Sequence, residues 1–143
     1  MTVKPAEGAS MSVEFQWPLR VYIEDTDAGG IVFYVNYLKY MERARTEFMR
    51  GHGFGKAAIF GSDLMFVVRR VDVRYRRPAK LDDELVATAR ILEYGAAQLM
   101  FEQRILRGAD ELCGGRVNIA CVERQTLTPK RIPKELLVAL GVM

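Results

Sequence analysis

Residues 24–46 read EDTDAGGIVFYVNYLKYMERART, and the change of rhythm inside them decides the fold. Asp25 and Asp27 flank Thr26, Gly29 and Gly30 follow, and an aromatic-rich apolar run then settles into steps of three and four. Tyr34, Tyr37, Leu38, Met41, Ala44 and Phe48 recur at those steps, which places them on one stripe of an amphipathic helix. The spacing predicts a helix over about residues 34–50. Asp, Gly and Asn lie near its start, and RGHGFG (50–55) supplies basic residues and glycines at its end. Glu42/Arg45 and Arg43/Glu47 are spaced for ion pairs on the helix surface.

Outward from the helix the period is that of strands. VEFQWPLRVYIE (13–24) is rich in β-branched and aromatic residues, with Pro18 marking an edge position or a bulge. GKAAIFGSD (55–63) reads as a loop. In residues 64–77 strict alternation puts Val67, Val71, Val73 and Tyr75 on one face and Arg70, Asp72, Arg74 and Arg76 on the other. PAKLDD (78–83) breaks that strand. Residues 84–95 and 96–111 form a hairpin around Gly95. LCGGRVNIACVERQT (112–126) is a last long strand, in which Gly114 and Gly115 indicate a bulge or bend. IPKELLVALGVM (132–143) is a short helix with Pro133 near its first turn. One long helix among strands joined by short turns is an α+β layer: an antiparallel sheet of about five strands wrapped around one long central helix. Residues 1–12 read as a flexible N-terminal tail and 13–143 as a single domain. The long strands leave edges that pairing of two copies would protect, so a homodimer is expected.

The chain has 143 residues, which fits one domain, and its 21 basic against 18 acidic residues give a net charge of +3. That charge suits an anionic ligand. It argues against nucleic acid as partner, although RRVDVRYRRPAK (69–80) is basic with an interleaved aromatic. Cys113 and Cys121 are eight residues apart in a strand-like segment and so share a face. They form no disulfide framework and no zinc pattern, and read as small buried thiols of a reducing compartment. The N-terminal MTVKPAEGASMSVEF has no apolar core of signal-peptide length, and no run is long enough to insert in a membrane. A cytoplasmic location is expected.

Asp25, Thr26 and Asp27 have two readings. Their oxygens favour turns and helix caps, which needs no further function. The other reading joins a carboxylate to a glycine turn that a substrate can approach and to the unpaired N–H groups of a helix start. A carbonyl oxygen placed at that helix start would be polarised, and Asp27 is near enough to act on the carbonyl carbon directly or through a water. This layout serves acyl transfer. His52, the one histidine, lies past the helix end, so Ser-His-Asp or Cys-His arrangements and a catalytic zinc are not expected. Glu42 is a weaker candidate that pairs more naturally with Arg45.

RVYIEDTDAGGIVFYVNYLKYMERARTEF (20–48) resembles the signature of the hotdog-fold acyl-CoA thioesterases of the 4-hydroxybenzoyl-CoA thioesterase family, closest to the YbgC-like, Tol-Pal-associated branch. The likeness continues through FVVRRVDVRYRRPAKLDDEL (66–85) to TLTPKRIPKEL (126–136). It implies hydrolysis of a short-chain or aromatic acyl-CoA to the free acid and coenzyme A, with no cofactor, coenzyme A being part of the substrate. It implies dimers that pair into tetramers, with the site at the dimer interface, and an acyl carrier protein as a further partner. By position, Asp27 would be the catalytic carboxylate and the Tyr34 backbone N–H the oxyanion donor, with Gly29 and Gly30 shaping the turn between them. Many members of the branch have His where this chain has Tyr34; a backbone donor survives that change and an imidazole role does not. A non-catalytic acyl-CoA or acyl-carrier-protein binding module on the same fold is the competing reading. The acyl pocket is expected from Ile31, Val32, Phe33, Met65, Phe66 and Val67. The coenzyme phosphates are expected on Arg76, Arg77, Lys80 and Lys130, which lie at strand ends or in loops.

Overall fold

In the computed structural model, which describes residues 3–5, 14–53 and 63–143, the helix forms where its spacing requires: α1 runs Val35–Gly51. Its buried face is Asn36, Tyr37, Tyr40, Met41, Ala44, Phe48 and Met49. Tyr34 stands at the cap and is 59% exposed, although the stripe placed it on the buried side. At the far end His52 N–H bonds the carbonyls of Met49 and Arg50, its ring Nδ1 lies 2.8 Å from Phe48 O, and Gly53 at φ +84° turns the chain out of the helix. The surface pairs expected on α1 are replaced. Glu47 pairs with Arg50, and Arg45 turns inward to donate to Gln103 Oε1 at 2.8 Å.

The strands are β1 (Val3–Pro5), β2 (Phe15–Arg20), β3 (Leu64–Tyr75), β4 (Glu84–Gly95), β5 (Gln98–Arg107) and β6 (Asp110–Glu123). All pair antiparallel in the order β1-β4-β5-β6-β3, with β2 also on β4. β1 and β2 lie end to end along one edge of β4, so the sheet is five strands wide. β2 pairs with β4 alone, an edge place that tolerates the missing N–H of Pro18. Within the stretch read as a tail, Val3–Pro5 pairs with Gly95–Glu93; the rest of that stretch, and all but the last residue of the 55–63 loop, lie outside the described residues. α2 (Lys134–Ala139) follows β6, with Pro133 at its cap. The sheet wraps α1: Leu85, Ala87, Ala89, Ile91, Leu99, Phe101 and Ile105 are buried in one cluster with the helix stripe, and Phe101 meets Phe48 edge-on at 5.5 Å. This is the α+β hotdog arrangement.

Two local expectations are corrected. The first strand stops at Arg20, because the Asp25 carboxylate accepts Tyr22 N–H at 2.9 Å and draws Ile23–Asp25 into a 3-10 turn. In β3 the register shifts between Val68 and Arg70. Before the shift Phe66 and Val68 face with Cys121 and Ile119; after it Val71, Val73 and Tyr75 face with Val117, Gly115 and Cys113. Val67 therefore falls on the opposite face from Val71, since a bulge reverses the alternation. Gly114 and Gly115 themselves keep continuous register with both neighbouring strands, and the irregularity expected near them falls just before, at Leu112, between the pairs Ile105–Cys113 and Leu106–Glu111. Gly115 instead permits a close approach: a Cβ on it would sit 2.0 Å from Asp72 O. Cys113 and Cys121 are buried and unpaired, and burial, with Glu111 adding to it, pushes the Cys113 thiol up to about 12. Among the described residues no helix is long and apolar enough to cross a membrane.

Candidate active site

Residues 25–33 fold back as a tight hairpin ahead of α1. Asp27 N–H donates to Ile31 O at 2.9 Å, Gly30 N–H to Asp27 O at 3.1 Å, and Thr26 bridges Val32. Gly30 has φ +76°, a region that other residues enter only with strain. Asp27 Oδ1 accepts Gly29 N–H at 2.8 Å and Ile31 N–H at 3.3 Å. Gly29 allows that approach, since a Cβ there would lie 3.3 Å from the same oxygen. The turn reading of this aspartate therefore accounts for Oδ1. Oδ2 has no hydrogen-bond partner among the described residues, and the side chain is exposed.

The hairpin runs into the helix start. Phe33 N–H donates to Asp25 O at 3.0 Å, Asn36 N–H to Phe33 O at 2.8 Å and Tyr37 N–H to Tyr34 O at 3.3 Å. Tyr34 N–H has no acceptor among the described residues. It is a free donor at the end of α1 that carries partial positive charge. The segment PAKLDD, which breaks the β3 pattern in the sequence, braces the hairpin. Val32 N–H bonds Ala79 O at 2.9 Å, Ala79 N–H bonds the buried Tyr37 hydroxyl at 2.8 Å, Leu81 N–H bonds Gly30 O at 3.1 Å, and Lys80 bridges Ile31. Apolar Ala79 inside that polar run was the available signal of its burial. Phe33, Tyr34 and Tyr75 form an exposed aromatic group beside the free N–H, with Tyr34–Tyr75 centroids 6.0 Å apart.

Asp25, which composition does not distinguish from Asp27, is buried. Its carbonyl accepts Phe33 N–H and, at 2.9 Å, the Asn36 side-chain amide.

The expected pocket residues divide into separate places. Ile31, Val32 and Phe33 belong to the hairpin, where Val32 is buried and the other two exposed. Met65 and Phe66 line a mainly apolar cavity of about 350 Å³ with Met49 and Leu64, and Glu42 and Arg45 are among its walls. Eleven residues separate Tyr34 from Arg45, about 16 Å along a helix. Val67 is not among the cavity residues. Arg45, one of the two charged walls, is a residue that spacing alone assigned to the surface. Burial lowers its guanidinium from the ordinary range, while neighbouring Glu42 acts the other way.

The cations also divide. Lys80 adjoins the hairpin through its bridge to Ile31. Arg76 and Arg77 both donate backbone N–H groups to Leu112 O and sit near Glu111 at 3.4 Å and Asp110 at 3.6 Å. Lys130 N–H donates to Cys121 O, near the other end of β6. At ~3.3 Å per strand residue these anchors are roughly 30 Å apart.

A family model, the thioesterase superfamily, matches residues 29–114, beginning two residues after Asp27. The chain is 40% identical over 124 residues to the acyl-CoA thioester hydrolase YbgC of Escherichia coli O6:H1, covering 86% of this chain and 92% of that one. It is 40% identical over 126 residues to the acyl-CoA thioesterase YbgC of Haemophilus influenzae, covering 87% and 93%. The crystal structure of a probable thioesterase from Bartonella henselae superposes with a TM-score of 0.80 at 35% identity, covering 85% of this chain and all of that one. A 1,4-dihydroxy-2-naphthoyl-CoA thioesterase from Synechocystis superposes with a TM-score of 0.81 over 90% of this chain and 96% of its own, and at 18% identity it speaks for the fold alone.

Proposed function

The chain belongs to the thioesterase superfamily as a hotdog-fold thioester hydrolase close to the YbgC branch, and on that premise we propose that it hydrolyses short-chain or aromatic acyl-CoA to the free acid and coenzyme A. The observation that carries the mechanism is one hairpin with a free carboxylate oxygen, Asp27 Oδ2, on one limb and an unpaired N–H, that of Tyr34, at its exit. The thioester carbonyl oxygen receives the Tyr34 N–H, and the negative charge that grows on it faces the helix start. A donor so placed contributes about 3–4 kcal/mol to the transition state. Asp27 attacks the carbonyl carbon as a nucleophile and expels coenzyme A as the thiolate, leaving a mixed anhydride that water hydrolyses to the free acid and the Asp27 carboxylate; or Asp27 takes the proton of a water that attacks the carbonyl carbon, and the tetrahedral intermediate expels the thiolate to give the acid directly. Gly29 and Gly30 allow the substrate to come close to the turn.

The division of the site supports a homodimer. The β3 edge exposes Val68, Val71 and Tyr75. Tyr75, at the end of β3, meets Tyr34, whereas Met65 and Phe66, at its start, line the cavity, and Lys130 lies near Cys121, which pairs with Phe66. Antiparallel pairing of two β3 edges brings the start of one β3 to the end of the other. The acyl pocket of each site then joins Ile31 and Phe33 of one chain to the partner's Met65 and Phe66. The phosphates of coenzyme A meet Arg76, Arg77 and Lys80 of one chain and the partner's Lys130. Two such dimers pair further into a tetramer. An acyl carrier protein offers the same pantetheine thioester and is a second form of substrate. The buried free thiols favour a reducing, cytoplasmic setting.

The test is coenzyme A release from a panel of acyl-CoAs: short aliphatic, long aliphatic and hydroxybenzoyl. Turnover of a short or aromatic thioester is expected. Tight binding of acyl-CoA with no turnover of any member would replace the hydrolase by a binding module.

A further inference from the structure

We propose that Asn36 is a positioning residue of the active site, holding the Asp27 carboxylate and the Tyr34 N–H at one fixed separation, with buried Asp25 as the anchor through which it acts. This inference rests on the thioesterase reading of those two groups.

The two groups lie on opposite limbs of the 25–33 hairpin, so their separation depends on whatever closes that hairpin at its base. The Asn36 side chain closes it, and the Asn36 backbone ties the exit limb into the helix start. Its side-chain Nδ2 donates to Asp25 O at 2.9 Å, two residues before the carboxylate. Its backbone N–H donates to Phe33 O at 2.8 Å, one residue before the oxyanion donor. Phe33 N–H completes the ring by donating to Asp25 O at 3.0 Å. Tyr34 N–H stays unpaired because it stands at the helix start, where the first N–H groups have no intrahelical acceptor.

Neither residue is where helix formation alone would place it. Asn36 is 8% exposed on the buried face of the first turn of α1, where an apolar residue packs and Asn is a weak helix former. Asp25 is also 8% exposed. Its carboxylate accepts Tyr22 N–H at 2.9 Å and its own N–H donates to Tyr22 O at 3.0 Å, which locks the 3-10 turn. Tyr40, 1% exposed, keeps a hydroxyl without a hydrogen-bond partner among the described residues. Burial first, and then the adjacent Asp25 carboxylate, push that phenol above its ordinary range. The hub thus leans on α1 at Asn36 and at Tyr40, one helical turn further on. Without the Asn36 amide, the helix start can slide against the Asp27 limb, and a misplacement of about 1 Å costs about 10²-fold in rate.

The experiment measures kcat and KM across pH for wild type, Asn36→Ala, Asn36→Ser and Asn36→Asp, with thermal melts to count folded protein. Asn36→Ala and Asn36→Ser are expected to lose roughly 10- to 100-fold in kcat with KM nearly unchanged. Asn36→Asp keeps the shape but, when ionised, turns an acceptor towards Asp25 O. On protonation its O–H restores the bond, so its kcat relative to wild type should rise as pH falls, and that of Asn36→Ala should not. A purely structural role would lower the melting temperature and leave kcat per folded molecule and the pH ratio unchanged. That result, or a loss confined to KM, overturns the inference. The serine variant carries the test if alanine does not fold. Wild type without turnover would refute the thioesterase reading itself, whereas active wild type with unimpaired Asn36 variants refutes only this inference.

Discussion

At the scale of single residues, the assignment turns on how Asp27 divides its two oxygens. Oδ1 is spent on Gly29 and Ile31 N–H groups, as in any aspartate turn, and Oδ2 has no hydrogen-bond partner among the described residues, which the proposed chemistry requires. The geometry of that turn depends on Gly30 at φ +76°. Gly30→Ala should cost ~1–2 kcal/mol of stability, from the strain of a Cβ in the left-handed region. A urea melt measures that loss, and an activity assay should show kcat falling with it. Cys113 makes a prediction about pH. Its thiol is held up to about 12 in the folded chain against an ordinary 9.0, so the folded state keeps a proton that the unfolded chain releases. That contribution is whole below the ordinary value and fades as pH rises towards the folded one. Stability should therefore fall by up to about 1.4 kcal/mol per pH unit above pH ~9. Urea melts at pH 8 and pH 10.5 on wild type and Cys113→Ala test this: the variant should show the smaller drop.

At the scale of elements, the strands meet too closely at one point for any side chain. Gly115→Ala would set a Cβ 2.0 Å from Asp72 O, a backbone atom that cannot swing aside. Separating β3 from β6 there should cost about 3 kcal/mol or more, visible as a large fall in melting temperature or in soluble yield. What was legible in the sequence follows the same logic of local against distant causes. The helix was legible because Tyr37, Met41, Ala44 and Phe48 all face one core. The hairpin with Asp27, Gly29 and Gly30 was legible because turn chemistry is local. The reversal at Val68 was not, since a bulge needs no special residue and Arg69 resembles its neighbours. The Val3–Pro5 strand was not, because its partner β4 is far along the chain. Arg45 was assigned to the surface because its partner, Gln103, lies 58 residues away on β5. Burial separated Asp25 from Asp27, and no pattern of two aspartates around a threonine carries that difference.

At the scale of the whole molecule, one chain holds the Asp27 hairpin at one end of β3 and the apolar cavity at the other. If two β3 edges join, activity should depend on that edge. Val71→Asp, which puts charge on an exposed apolar position of β3, should yield monomers in sedimentation velocity and lose most turnover, though Asp27 is untouched. Beneath the assembly lies the claim that the Asp27 carboxylate acts on the thioester. The direct test is kcat of Asp27→Asn against wild type on the best acyl-CoA, with matched melting curves. The substitution preserves size and removes charge. A fall of ~10³-fold or more in folded protein is predicted, on the scale of losing a reacting group. A variant within tenfold of wild type would contradict the account and remove Asp27 from the chemistry.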